Sequence, residues 1–193
     1  MLYSPIIEHS HYLRVSCRFQ LDSGYFTEIC KKNRPPLERR GFVMVIAEQL
    51  PTMDLNPLSD FKFDKTRERW TLVEDTPLEE STRLSLTGFF EEDEQYVLGE
   101  TMLERGKNMT EQLGIRLAGQ LHAEAMYYRD EKIPAKWRPF DLVFAGTVWQ
   151  DSYGWRWVVS LYWSEDQWVL RFSWLAGAFW HGRVRLVRVS QVS

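Results

Sequence analysis

The sequence predicts an α+β protein: a β-rich N-terminal lobe over residues 1–90, a helical segment over 91–131, and a four-stranded antiparallel tryptophan-rich meander over 132–193. Three observations predict it. Short runs in the first ninety residues alternate apolar and polar side chains between turn residues. The middle stretch keeps its apolar residues at helical spacing. Eight of the nine tryptophans fall between Trp137 and Trp180, many at alternate positions, as a sheet requires.

Tyr12 to Leu21 sets Leu13, Val15, Cys17, Phe19 and Leu21 against Arg14, Ser16, Arg18 and Gln20, which describes a half-buried strand. Asp22-Ser23-Gly24 is a turn. Tyr25 to Lys32 reads as the second strand of a hairpin, with a short helix capped by Ser23 as the alternative. A basic loop follows, stiffened by Pro35 and Pro36, and Gly41 to Glu48 is apolar enough for a strand covered on both faces. Residues 51–64 show no sustained period and read as a long loop. Arg69 to Glu74 and Thr82 to Phe90 read as further strands.

Glu91 to Glu94 suits a helix start, because carboxylates there meet unpaired N–H groups and the positive end of the dipole. Leu98, Met102, Met109, Leu113, Leu117, Leu121, Ala125 and Tyr128 follow one helical stripe. Gly106 as a C-cap, and Asn108 with Glu111 as a capping box, divide the segment into helices near 92–105 and 109–129.

In the C-terminal lobe, Trp155, Trp157, Val159, Leu161 and Trp163 alternate, and so do Trp168, Leu170, Phe172 and Trp174. Closing the connection at 164–167 symmetrically puts Trp163 opposite Trp168, Leu161 opposite Leu170, Val159 opposite Phe172 and Trp157 opposite Trp174. Every apolar residue then meets another, and a one-residue slip would turn all of them to the other face. Asp151 to Gly154 is the preceding turn, predicted to pair Val148 with Trp157, Phe144 with Leu161 and Leu142 with Trp163. Residues 176–182 read as a loop and Arg183 to Ser190 as the fourth strand. Leaving the eight large side chains of the tryptophan face in water would cost on the order of 10–20 kcal/mol, so that face is expected in the core. A sugar- or base-stacking platform is the alternative. The other face, with Thr147, Arg156, Val158, Ser160, Tyr162, Val169, Arg171 and Ser173, suits water, a ligand or a helix.

The net charge is −3, but residues 132–193 hold 8 Lys/Arg against 4 Asp/Glu while residues 1–131 hold 16 against 23. That segregation is compatible with a polyanion site in the C-terminal lobe. Cys17 and Cys30 have neither zinc nor redox spacing. No signal-peptide pattern opens the sequence, and its longest apolar run is too short to cross a bilayer, so a cytoplasmic protein without membrane contact is expected.

No cofactor is expected. Gly99 to Lys107 lacks phosphate-loop spacing, Gly-x-Ser-x-Gly is missing, and His9 with His11 has no partner pair for a metal. No catalytic or metal-ligating residue is therefore nominated. The aromatic loop Phe179, Trp180 and His181, with Arg183 and Arg185, is the candidate partner-binding site. Lys31, Lys32, Arg34, Arg39, Arg40 and Arg188 are the candidate polyanion contacts. Arginines on a terminal strand have a structural reading too, as guards against edge-to-edge pairing. The acidic block Glu74 to Glu94, with Arg83 its only positive charge, reads as solvated surface or as a face for a basic partner.

These features predict a non-enzymatic binding or adaptor protein that contacts another protein through the acidic block or the aromatic loop, with nucleic acid second, through the arginine edge. The alternative is an enzyme or small-molecule binder with a pocket between the C-terminal sheet and the helices. Its only candidate polar set is Tyr162, Arg171, Ser173, His122 and Glu124.

Overall fold

The computed structural model of the chain describes residues 50–191, apart from residues 77, 78, 80, 81, 115 and 178. The expected strands at 12–21, 25–32 and 41–48, both cysteines, and the basic loop with Lys31, Lys32, Arg34, Arg39 and Arg40 lie outside the described residues. Within them the chain is α+β, with one large, mainly antiparallel sheet and two α-helices.

The hairpin of β7 (Arg156–Ser164) and β8 (Gln167–Trp174) anchors the sheet. Trp157 lies opposite Trp174, Val159 opposite Phe172, Leu161 opposite Leu170 and Trp163 opposite Trp168, the register the alternation predicts. The connection is tighter than the four residues expected. Ser164 pairs with Gln167, so only Glu165 and Asp166 turn the chain, at φ 50° and 59°. Positive φ at both central positions is the geometry whose twist matches two antiparallel strands.

β6 (Asp141–Gln150) pairs antiparallel with β7, in a register that differs from the expected one. Leu142 faces Leu161, Phe144 faces Val159 and Trp149 faces Trp157, with a bulge between Phe144 and Val148. The turn accounts for one end: the Asp151 carboxylate accepts the N–H groups of Tyr153 and Trp155 and the indole N–H of Trp157, which sets Gln150 against Arg156. Gly146 accounts for the bulge. It donates to the Ala118 carbonyl, and a Cβ there would lie 2.0 Å from the Thr76 hydroxyl and 2.3 Å from the Leu117 carbonyl. Two other segments cross the strand at this point, and β6 kinks to admit them.

The last strand, β10 (Val184–Gln191), is not the fourth strand of an antiparallel meander. It runs parallel to the start of β6 and antiparallel to β3 (Thr82–Thr87), inside the sheet. β1 (Met53–Leu55), within the stretch expected to be loop, extends the sheet beyond β3. β2 (Thr71–Glu74) pairs with β6 on the far side of the bulge, and β5 (Arg116–Leu117) pairs with β10. Strands from 53–87 and from 141–191 thus share one eight-stranded sheet. The expected loop at 176–182 contains β9 (Phe179–His181), which pairs with β4 (Tyr96–Leu98) in a separate ribbon.

That ribbon explains why the first helix begins late. Residues 96–98 are taken up by β9, so α1 spans Gly99–Leu113 instead of 92–105. The acidic run at 91–94 forms a turn, with Asp93 at φ 70°. Gly106 does not end the helix. A Cβ there would lie 2.8 Å from Leu117 Cδ1, so the glycine allows close packing, and Gly114 at φ 63° is the C-cap. Asn108 and Glu111 lie inside α1, and α2 is short, Gln120–Tyr127.

Both faces of the sheet are covered. Phe144, Val159, Leu161 and Trp168 pack with Ala123, Ala125 and Met126 of α2 and with Trp137. Val143, Ala145, Val148 and Val158 pack on the opposite side with Met102 and Leu103 of α1, and with Val97 and Trp180 of the ribbon. Each of these large apolar side chains contributes roughly 1.5–3 kcal/mol by leaving water. Trp157, Trp163, Leu170, Phe172 and Trp174, towards the β8 edge, are half-buried and pack on one another and on Trp70. Among the described residues no helix is long and apolar enough to cross a membrane.

Candidate functional site

Strand alternation places Val169, Arg171 and Ser173 of β8 on the face away from α2. On this side of the sheet the second half of β8 meets the ribbon strand β9 and the starts of β6 and β10. Between them lies a cleft of about 290 Å³ whose polar lining is Asp141, Arg171, Ser173 and His181 and whose walls include Trp174 and Trp180.

Arg171 is held at its root. Its Nε donates to Ser160 Oγ at 3.2 Å, and its guanidinium lies 4.6 Å from the centre of the Tyr162 ring. Ser160 is buried and shares a 2.8 Å hydrogen bond with Ser173. No carboxylate among the described residues forms an ion pair with Arg171. A fixed planar cation of this kind matches a carboxylate or phosphate.

His181 Nδ1 accepts the backbone N–H of Arg183 at 3.3 Å. The neutral ring therefore carries its proton on Nε2, which lies 3.5 Å from Asp141 Oδ2. Trp174 stacks on Trp155 at 4.4 Å, and its ring lies so close to Gly177 that a Cβ there would fall 2.0 Å from it. The indole N–H groups of Trp174 and Trp180 are buried without a hydrogen-bond partner among the described residues. Donors left unsatisfied are costly, and here two of them belong to residues lining one cleft.

Of the sequence-nominated residues, His181 reaches this cleft by its polar edge. Trp180 is only 3% exposed and belongs to the core beneath it, so it is a wall and not a protruding contact. Phe179 pairs through its backbone with Leu98. Arg183 Nε donates to the Pro139 carbonyl. Arg185 donates to the carbonyls of Gly182 and Val184 and covers the Phe140 ring. Arg188, on the other face, donates to Ser85 Oγ. With β10 flanked by β3 and β6, the arginines do not form a sheet edge.

The acidic block is largely paired within the molecule. Glu74 meets Lys107 at 2.5 Å, Glu79 meets Arg116, and Arg105 meets both Glu91 and Glu94. It is therefore less available to a basic partner than its sequence suggests.

Nor do the five polar residues of the alternative reading converge. Arg171 and Ser173 line the cleft with Tyr162 beneath, whereas His122 and Glu124 belong to α2, on the opposite face. Glu124 is fully buried. It accepts the backbone N–H groups of Lys62 at 2.6 Å and Phe63 at 3.1 Å, and Gln120 Nε2 at 2.6 Å. Gln120 Oε1 in turn accepts the indole N–H of Trp149 at 2.6 Å, and Thr147 Oγ1 accepts the Gln120 backbone N–H. This network fastens the loop at 61–64 to α2 and the sheet. Its visible trace in sequence is the four-residue spacing of Gln120 and Glu124. His122, 1% exposed, accepts the Gly119 N–H at Nδ1, and its Nε2 has no partner among the described residues. Burial pushes its pKa down to about 4. Among the described residues no group of three or more His, Cys, Asp or Glu is placed to hold a metal ion.

No protein-family model matches the chain, and no curated protein or solved structure matches it either, so a functional reading rests on the cleft beside Arg171.

Proposed function

We propose that the chain is a non-enzymatic binding protein whose ligand presents an oxyanion, a carboxylate or a phosphate, to Arg171. The observation that carries this reading is a guanidinium fixed by Ser160 and Tyr162 at the wall of a cleft, without a carboxylate partner among the described residues. Ser173 and the imidazole of His181 add hydrogen-bonding groups, Asp141 lies against His181 Nε2 at 3.5 Å and forms no ion pair with Arg171, and the indoles supply apolar walls. Ser173 bonds to Ser160, whereas a nucleophile needs its base within hydrogen-bond reach. That supports capture of a ligand over chemistry on it.

Acetate and inorganic phosphate, titrated into the protein at low ionic strength, are the simplest probes. Arg171→Gln is expected to weaken whichever binds by about tenfold or more, the effect of one charge-assisted hydrogen bond. Arg83→Gln removes a surface arginine that is paired with Asp54, and is expected to leave affinity unchanged. Equal affinity of wild type and Arg171→Gln would remove the proposal.

A further inference from the structure

The β4–β9 ribbon continues the cleft outward. Val97 points into the core, so Tyr96 and Leu98 share the opposite face, 62% and 50% exposed. His181 lies directly across from Tyr96, which puts it on that outward face as well as on the lining of the cleft. An apolar surface thus begins where the polar cleft ends, with one residue common to both.

A free acetate or phosphate bound at Arg171 would leave that surface wet. Two large apolar side chains on one face, linked through His181 to the cleft that holds Arg171, fit a ligand that carries an apolar group as well as its anion. We propose that the natural ligand is a segment of a protein partner in which an acidic side chain enters the cleft and a neighbouring large apolar side chain packs on Tyr96 and Leu98. This inference rests on the reading of Arg171 as the oxyanion contact and adds the class of molecule that carries the oxyanion. Charge complementarity favours it: Arg171 has no carboxylate partner among the described residues, since the cleft's own carboxylate, Asp141, lies against His181 Nε2 at 3.5 Å, and the segment supplies one. The ribbon geometry favours it too, because strand pairing holds Tyr96 and His181 side by side.

The test uses the full chain and two blocked peptides, acetyl-Gly-Leu-Asp-Leu-Gly-amide and its analogue with both leucines replaced by glycine, with acetate and phosphate as controls. The leucine peptide is expected to bind about tenfold more tightly than the glycine analogue, since burying one leucine supplies at least that factor. Tyr96→Ser combined with Leu98→Ser should erase the difference and leave acetate affinity unchanged. Both side chains are exposed, so the double variant is expected to fold, and an unchanged circular dichroism spectrum checks it. Equal binding of the two peptides, or tighter binding of phosphate than of the leucine peptide, overturns the inference while Arg171 keeps its oxyanion. Failure of acetate, phosphate and both peptides to bind overturns both proposals.

Discussion

Glu124→Ala is expected to lower the unfolding free energy by about 2–4 kcal/mol, because three donors lose their acceptor together. Those donors are the backbone N–H groups of Lys62 and Phe63 and the side-chain amide of Gln120. The loop N–H groups are only part-buried and can regain water, which keeps the loss below the sum of three full penalties. Glu124→Gln should cost less. It keeps one acceptor oxygen for Phe63 and Gln120 but turns an NH₂ towards Lys62. Urea unfolding followed by tryptophan fluorescence checks the order. A Glu124→Ala protein as stable as the wild type would show that the network does not hold the loop.

The second large effect is on pH dependence. His122 titrates near 4 in the folded protein and near 6.5 when unfolded, so its folded-state pKa is depressed. Above pH 6.5 both states hold a neutral ring and the histidine adds no slope. As pH falls below 6.5 the unfolded chain takes up a proton that the folded protein refuses, and stability declines until about pH 4. The loss over that window is about 3 kcal/mol. Burial is the main cause, and the charge of Arg116 adds to it. A backbone hydrogen bond with Gly119 opposes the shift without cancelling it. His122→Asn retains a side-chain acceptor but cannot titrate, so its stability should change less between pH 6.5 and 4.5 than that of the wild type. Parallel curves for the two proteins would rule out the assignment.

The β7–β8 register was legible in the sequence because both strands alternate without interruption and their rings meet only one way. The β6–β7 register was not legible. Its bulge at 145–147 exists because Thr76, Leu117 and Ala118 cross at Gly146, and a strand pattern carries no sign of a distant segment. Alternation likewise says which face of β10 is buried but not which way its neighbours run, and so its parallel pairing with β6 was invisible. The helical stripe held only in part. Met102, Leu121 and Ala125 are buried on helices, but Leu98 and Leu117 belong to β4 and β5 and Tyr128 is exposed beyond α2. The reason is that β4 claimed residues before α1, β5 interrupts the segment, and Gly106 serves packing where a cap was expected.

The cleft was legible only in pieces. Arg171 and Ser173 share a face by simple alternation, and the glycines around His181 drew attention to that loop. Nothing local joins them to Asp141, thirty residues before Arg171 on another strand. The apparent prominence of Trp180 failed for the same reason, since pairing with Val97 turns it inward. The arginines of β10 looked like an edge because strand order in space does not follow strand order in the chain.

The tryptophans offer the most direct measurement of whether an oxyanion enters beside Arg171. Trp137 and Trp149 donate their indole N–H groups to Pro51 O and Gln120 Oε1, whereas those of Trp174 and Trp180 have no partner among the described residues. In ¹H–¹⁵N spectra of the labelled protein titrated with acetate and phosphate, the indole signal of Trp174 should move saturably. Those of Trp137 and Trp149 should stay fixed. A Trp174 signal that does not move at any anion concentration, or movement confined to the already bonded indoles, would contradict the account.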